Sequence, residues 1–238
     1  MKVLLIYPEY PATFWSFKHA LPFINKKVSL PPLGLLTVAS IIPKEWEKKL
    51  VDMNANELKD EDLIWADFVF ISGMVVQRKS AKDVIKRAKV LNKFVVAGGP
   101  LFSTEYESFP LVDHFVLNEG EITLPQFMMD YHLGSLKRIY TSDEHPDLEK
   151  TPAPLWELAD LKQYATMSIQ FSRGCPFNCD FCNITVMLGH KPRTKSAKQL
   201  IAELDGLYRL GWREPVFIVD DNFIGNKKIL KEEVLPAL

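Results

Sequence analysis

"DFVFISG", residues 67–73, is an unbroken run of aromatic and β-branched residues that stops at a glycine. A strand of this composition has no polar face, so it belongs in a sheet covered on both sides. Similar runs flank it: "KVLLIY" (2–7), "KLVDM" (49–53), "FVVAGG" (94–99) and "VDHFVLNEG" (112–120). Helical patterns lie between them. "PPLGLLTVASII" (31–42) opens on proline, and "QRKSAKDVIKRAKVL" (77–91) carries Ala81, Val84, Ile85, Ala88 and Leu91 on one stripe. "EITLPQFMMDYHL" (121–133) is a third, interrupted by Pro125. Strands alternating with helices at this spacing predict an open, doubly wound (Rossmann-like) parallel sheet of the α/β class.

Ligands of such sheets bind outside the carboxyl ends of the strands. Those ends read "SGM" (Ser72, Gly73, Met74), "GGP" (Gly98, Gly99, Pro100) and "NEGE", with Glu119 and Gly120. Glycine after a strand is ordinary turn chemistry at any one of these places. Three such turns at successive strand ends point to a large, flat ligand lying against backbone. No G-x-G-x-x-G follows the first strand, so a dinucleotide is not indicated.

Residues 141–165 are polar and proline-containing and read as an ordered connector, since Leu155, Trp156 and Leu158 can dock. A second βα series follows: strand "MSIQFSRG" (167–174), a cysteine loop, helix "SAKQLIAELDGLYRLG" (196–211) and strand "EPVFIVDDN" (214–222). The expected organisation is therefore a sheet domain over 1–140, a linker over 141–165, and a second unit over 166–238.

All three cysteines of the 238-residue chain, Cys175, Cys179 and Cys182, fall in "RGCPFNCDFCNI" (173–184). Three thiols in one short loop suit three corners of an iron–sulfur cluster, whose full ligation takes four. A structural zinc also takes four ligands, and His190 is the one nearby candidate to complete that alternative. In the iron–sulfur reading one iron is left open to a small molecule. Lys plus Arg (29) nearly cancels Asp plus Glu (30), which gives no electrostatic case for nucleic acid as a partner. The opening "MKVLLIYPEYP" is too short in apolar residues for a signal peptide, and no stretch approaches the ~20 residues of a transmembrane helix. The chain reads as cytoplasmic, where clustered thiols bind metal more often than they form disulfides.

The C-x3-C-x2-C spacing, with Phe181 before the last cysteine, resembles the signature of the radical S-adenosylmethionine enzymes. The resemblance implies a 4Fe–4S cluster on Cys175, Cys179 and Cys182, with S-adenosylmethionine on the open iron. It implies Phe181 beside the adenine, although the same residue would serve as a core anchor for the loop. It also places Asp220 or Asp221, in "VDDNF", near the amino group of S-adenosylmethionine, and Arg193 near its carboxylate; a helix-capping role competes at the aspartates and a surface position at the arginine. A doubly wound domain ahead of this motif resembles the cobalamin-binding class of these enzymes, and "SLPPLGLLTVAS" (29–40) with the three strand ends carries that likeness.

In that class cobalamin lies across the strand ends. Ser72, Gly73, Met74, Gly98, Gly99, Pro100, Glu119 and Gly120 are the implied contacts, with Leu33, Leu35 and Met74 as candidates for shielding the cobalt. The D-x-H-x-x-G motif that supplies an axial histidine elsewhere is missing after the first strand, so cobalamin without a histidine ligand is implied. The text supplies only the first part of a radical S-adenosylmethionine (β/α) barrel, which leads one to expect a longer parent protein. The activity implied is methyl transfer to an unactivated carbon of a small or lipid-like substrate, with an electron donor such as flavodoxin or ferredoxin. A radical enzyme with a structural cobalamin domain and a non-enzymatic metal- or cobalamin-binding module are the competing readings.

Overall fold

The computed structural model describes residues 1–238, the side chain of Trp15 excepted. Its front carries six parallel strands: β1 (Lys2–Tyr7), β2 (Glu47–Asp52), β3 (Phe68–Ser72), β4 (Phe94–Gly98), β5 (His114–Val116) and β6 (Ile139–Tyr140). They lie in the order β2-β1-β3-β4-β5-β6, a doubly wound arrangement. Alternation along the strands splits the core in two. Leu4, Ile6, Val69, Ile71, Val95 and Ala97 face one side, where α2 (Asp60–Trp65), α3 (Arg78–Val90) and α4 (Pro100–Glu105) cover them. Val3, Leu5, Phe68, Phe70, Val96 and Val116 face the other, under α1 (Leu33–Ile41) and α5 (Gly120–Leu133). Both faces of "DFVFISG" are thus buried, as its composition requires.

Two sequence expectations change. Pro125 does not interrupt the third helix; α5 runs through it. The proline forfeits one backbone hydrogen bond, and burial of Leu124, Phe127 and Met128 against the sheet offsets the loss. Strand β6 and helix α2 carry too few residues to show a period, and neither is anticipated from the sequence.

Residues of the connector are docked rather than free. Val28 N–H donates to the Gln163 carbonyl at 3.1 Å and Leu155 N–H to the Leu36 carbonyl at 3.0 Å, while Trp156 and Tyr164 are buried. They belong to a third core together with Leu36, Met167, Ile169, Phe171, Leu200 and Leu207. Beyond them come β7 (Met167–Ile169), β8 (Ser172–Arg173), α6 (Ile184–Leu188), β9 (Arg193–Thr194), α7 (Ala197–Arg209) and β10 (Val216–Ile218). β7, α7 and β10 form one βαβ unit with parallel strands. Ser196 starts α7 in a reciprocal cap with Gln199: the Gln199 N–H donates to Ser196 Oγ at 3.3 Å, and the Ser196 N–H to Gln199 Oε1 at 2.9 Å.

Candidate functional site

A cavity of about 370 Å³ opens where β3, β4 and β5 end, and its walls come from both units of the chain. The front supplies Ser72, Gly98, Gly99, Pro100, Glu119 and Gly120, together with Leu33 and Leu35 of α1. The second unit supplies Gln170, Arg173 and the Met187–Leu188 turn of α6. Gly73 and Met74 are not among the lining residues, and Met74 is half exposed. Leu35 belongs to the core as well as to the wall, which is the packing role that competes with cobalt shielding.

The β4 glycines have a structural cause. A Cβ on Gly98 would lie 2.5 Å from the Val116 carbonyl oxygen, and one on Gly99 2.2 Å from Ser72 Oγ. Gly99 also has φ 83° and ψ −177°, a backbone conformation essentially closed to other residues. Close approach of strands therefore already demands glycine at both positions, with or without a ligand.

The cysteine loop hangs from a two-residue antiparallel ribbon, β8 with β9, in which Arg173 is paired with Arg193. All three thiols are free; Cys179 is exposed, Cys175 and Cys182 partly so. The Cys175 N–H donates to the Gly189 carbonyl at 3.1 Å, and the Asn222 amide donates to Cys175 Sγ at 3.4 Å. No three His, Cys, Asp or Glu side chains converge closely enough to hold a metal ion among the described residues, so neither the three sulfurs nor the sulfurs with His190 make a closed centre. The chemistry of the donor set, three reduced thiols on one accessible loop, still suits an iron–sulfur cluster with one open corner. Phe181 is 94% exposed, so it is not the core anchor of this loop.

The two aspartates separate. Asp220 uses both oxygens on the β7–β8 junction: Oδ1 accepts from the Phe171 N–H at 2.7 Å, and Oδ2 from the Ser172 N–H at 2.7 Å and its hydroxyl at 2.6 Å. Burial raises its pKa against the pull of those donors. Asp221, the next residue, is exposed. The capping role in this run falls to Asn226, whose side chain accepts from the Ile229 N–H at 3.3 Å.

Arg193 is not a surface charge. It belongs to a buried network that the sequence gives no sign of, centred on Glu119. Glu119 Oε1 accepts from Arg193 Nη2 at 2.8 Å and from His145 Nδ1 at 2.9 Å. Because a carboxylate only accepts, that nitrogen of His145 carries the hydrogen. Glu119 Oε2 accepts from Arg173 Nη1 at 2.8 Å and Arg193 Nη1 at 3.1 Å. Arg173 Nη2 pairs with Glu121 at 2.8 Å. Burial alone would raise the Glu121 carboxyl, but the charge and hydrogen bonds of Arg173 hold it below its ordinary range. Removing one partner from this set strands an opposite charge away from water.

Residues 23–128 match the B12 binding domain family, a range that takes in β2 to β5, α1, most of α5 and most of the cavity wall. The chain carries a B12-binding domain and is similar over nearly its whole length to curated methyltransferases. An uncharacterised methyltransferase of Synechocystis sp. is 50% identical over 97% of this chain and 44% of its own length. A hopanoid C-2 methylase of Rhodopseudomonas palustris is 36% identical over 100% of this chain and 46% of its own. The chain thus spans about half the length of the curated relatives it matches. Among solved structures, OxsB, described as a cobalamin-dependent S-adenosylmethionine radical enzyme with aqua-cobalamin and S-adenosylmethionine bound, superposes with a TM-score of 0.72 at 19% identity. That match covers 94% of this chain and 34% of OxsB, and establishes the shared fold of the B12-binding domain and the unit behind it.

Proposed function

We propose that this chain is the cofactor-binding part of a cobalamin-dependent radical S-adenosylmethionine methyltransferase acting on an unactivated carbon. The observation that carries the reading is the shared cavity: its floor is the carboxyl end of a B12-binding sheet and its far wall is the helix that follows the cysteines. A ligand lying on those strand ends would border the two ends of the cysteine loop, at Arg173 and at Met187–Leu188.

The roles follow from placement. Ser72, Gly98, Gly99, Pro100 and Gly120 offer a backbone-rich bed for cobalamin. The apolar pocket between α1, α5 and the sheet, with Leu33, Leu35 and Leu124 in its wall, accepts an extended part of the same ligand and excludes water from it. Cys175, Cys179 and Cys182 would hold a 4Fe–4S cluster and leave one iron for S-adenosylmethionine. Bound there, the cluster would supply an electron to S-adenosylmethionine, and cobalamin would supply the methyl group. Asp221, exposed beside the committed Asp220, is the better placed of the two for the amino group of S-adenosylmethionine. Phe181 stands free to pack on the adenine. Arg193 is spent on Glu119, so the carboxylate of S-adenosylmethionine needs another donor.

The substrate is proposed as a small apolar or lipid-like molecule, in keeping with the relative that is a hopanoid methylase. A low-potential protein such as flavodoxin or ferredoxin would reduce the cluster in a reducing, cytoplasmic setting. No helix among the described residues is long and apolar enough to cross a membrane. The test replaces Cys175, Cys179 and Cys182 together by alanine in the whole protein and measures reductive cleavage of S-adenosylmethionine under anaerobic conditions. Cleavage is expected to vanish while bound cobalamin persists; undiminished cleavage sinks the assignment.

A further inference from the structure

We propose that Glu119 is a positioning residue of the cysteine loop rather than a contact of cobalamin. It would act from the B12-binding domain on the loop's two ends at once, a role that builds on the function proposed above.

Arg173 and Arg193 stand directly opposite each other in the ribbon from which the loop hangs. Like charges at paired positions of an antiparallel ribbon push the strands apart. The ribbon has only two residue pairs to resist that repulsion, Ser172 with Thr194 and Arg173 with Arg193. Its closure therefore depends on counter-charge from outside, and that charge comes from Glu119 and Glu121 at the start of α5.

Glu119 alone reaches both arginines. Its carboxylate accepts four hydrogen bonds, from His145, from Arg173 and two from Arg193, which fills its acceptor directions. Nothing is left over for a ligand, although the residue borders the cavity. The path onward to the thiols is short. Arg193 Nη2 also donates to the Leu188 carbonyl in the last turn of α6 at 3.0 Å, and the next carbonyl, that of Gly189, accepts from the Cys175 N–H at 3.1 Å. Arg173 Nε donates to Gln170 Oε1 at 2.8 Å, fixing the other side of the ribbon. One carboxylate of the front domain thus fixes where the first cysteine lies relative to the cavity. Its neighbours Asn118 and Gly120 line that cavity, so a ligand seated there would touch the turn that carries the clamp.

The experiment compares the whole protein with its Glu119→Gln variant, first without added iron. Amide hydrogen exchange is read over residues 174–192 and, as the internal control, over β1, β3 and β4. The expected result is loop exchange faster by about tenfold or more with the sheet unchanged, because the opening is local. Retention of hydroxocobalamin after desalting should stay within about twofold of the unaltered protein, since that term belongs to a separate set of contacts. After anaerobic loading with iron and sulfide, the variant should show less iron per chain and an altered electron paramagnetic resonance line shape for its reduced cluster. Should Glu119→Gln fail to fold, Arg193→Gln removes one of the two paired cations and is expected to loosen the same residues. Loop exchange equal to the unaltered protein's overturns the inference. So does loss of cobalamin with the loop still protected. If instead the unaltered protein assembles no cluster, the proposed function fails, and the exchange comparison still decides the role of Glu119.

Discussion

The carboxyl end of β4 lines the cavity and the cysteine loop springs from its far wall, at Arg173 and the Met187–Leu188 turn, and the two are built in opposite ways. At Gly98 and Gly99 the protein already occupies the space a side chain would take, to within 2.5 and 2.2 Å. In the loop, Phe177 and Phe181 stand 62% and 94% exposed, and the three thiols do not converge on a common point among the described residues. The strand ends are a surface already formed, held by strand pairing and by cores on both faces of the sheet. The loop is fixed at its base, by the Arg173–Glu119–Arg193 clamp, and left unsatisfied at its tip. Metal sites of this kind gain their order when the metal binds, so part of the binding free energy goes into arranging the ligands. The difference teaches that the two cofactors would be received differently, one by a preformed surface and one by a loop it completes.

The largest effect belongs on the preformed side. Gly99→Ala forces a side chain onto Ser72 Oγ at a backbone angle that only glycine tolerates well. It should lower stability by about 2 kcal/mol or more in urea unfolding, and cobalamin retention with it. An unchanged midpoint would mean that the bed is more pliant than its geometry indicates.

A smaller, pH-dependent effect lies at the far side of the sheet. Asp52 is buried at the end of β2 and accepts hydrogen bonds from the Asn54 N–H at 2.9 Å, the Asn54 side-chain amide at 2.7 Å and the Tyr164 hydroxyl at 3.2 Å. Burial raises its carboxyl, outweighing these donors. A carboxyl that holds its proton more tightly when folded adds stability below its ordinary pKa, and that contribution is lost as pH rises through the raised value. Asp52→Asn should flatten this part of the stability profile in urea midpoints taken from pH 4 to 7, about the range over which a raised carboxyl titrates. A slope of the same size in the variant would assign the effect elsewhere.

The smallest effect belongs to the loop. Phe181→Ala should change stability by less than about 0.5 kcal/mol, because the ring buries nothing. If the ring does cover the adenine, the same variant weakens S-adenosylmethionine binding, read as a higher dissociation constant by equilibrium dialysis. A large loss of stability would show the loop to be packed and the contrast with β4 to be false.

The legible parts of the molecule are those written in local pattern. Continuous apolar runs marked the buried strands, and the stripe Ala81, Val84, Ile85 and Ala88 marked α3, because burial imposes a period that composition records. The spacing of Cys175, Cys179 and Cys182 is legible for a different reason, since three thiols within one short loop form a ligand pattern whatever packs around them. What stayed hidden depends on contacts between distant segments. Arg173 lies inside the strand text "QFSRG" and looks like an edge charge, yet its partner Glu119 is far away in sequence and meets it only once the second unit docks. Arg193 was a candidate for a cofactor carboxylate and is instead paired with a protein one. The helix over Pro125 was hidden by a similar limit, since the packing of Phe127 and Met128 that overrides the proline is tertiary. A buried ion network leaves only one trace in sequence, charged residues where a strand meets a turn, and many exposed turns share it.

The central claim is that one chain presents a cobalamin bed and a cluster loop to the same cavity. The direct measurement loads the whole protein anaerobically with iron, sulfide and hydroxocobalamin, desalts it, and counts iron, sulfide and cobalt per chain. The account predicts about four iron, four sulfide and one cobalt, with the iron and sulfide lost and the cobalt kept when the three cysteines are alanine. About one zinc with no sulfide, and no cobalamin absorbance retained, would contradict it.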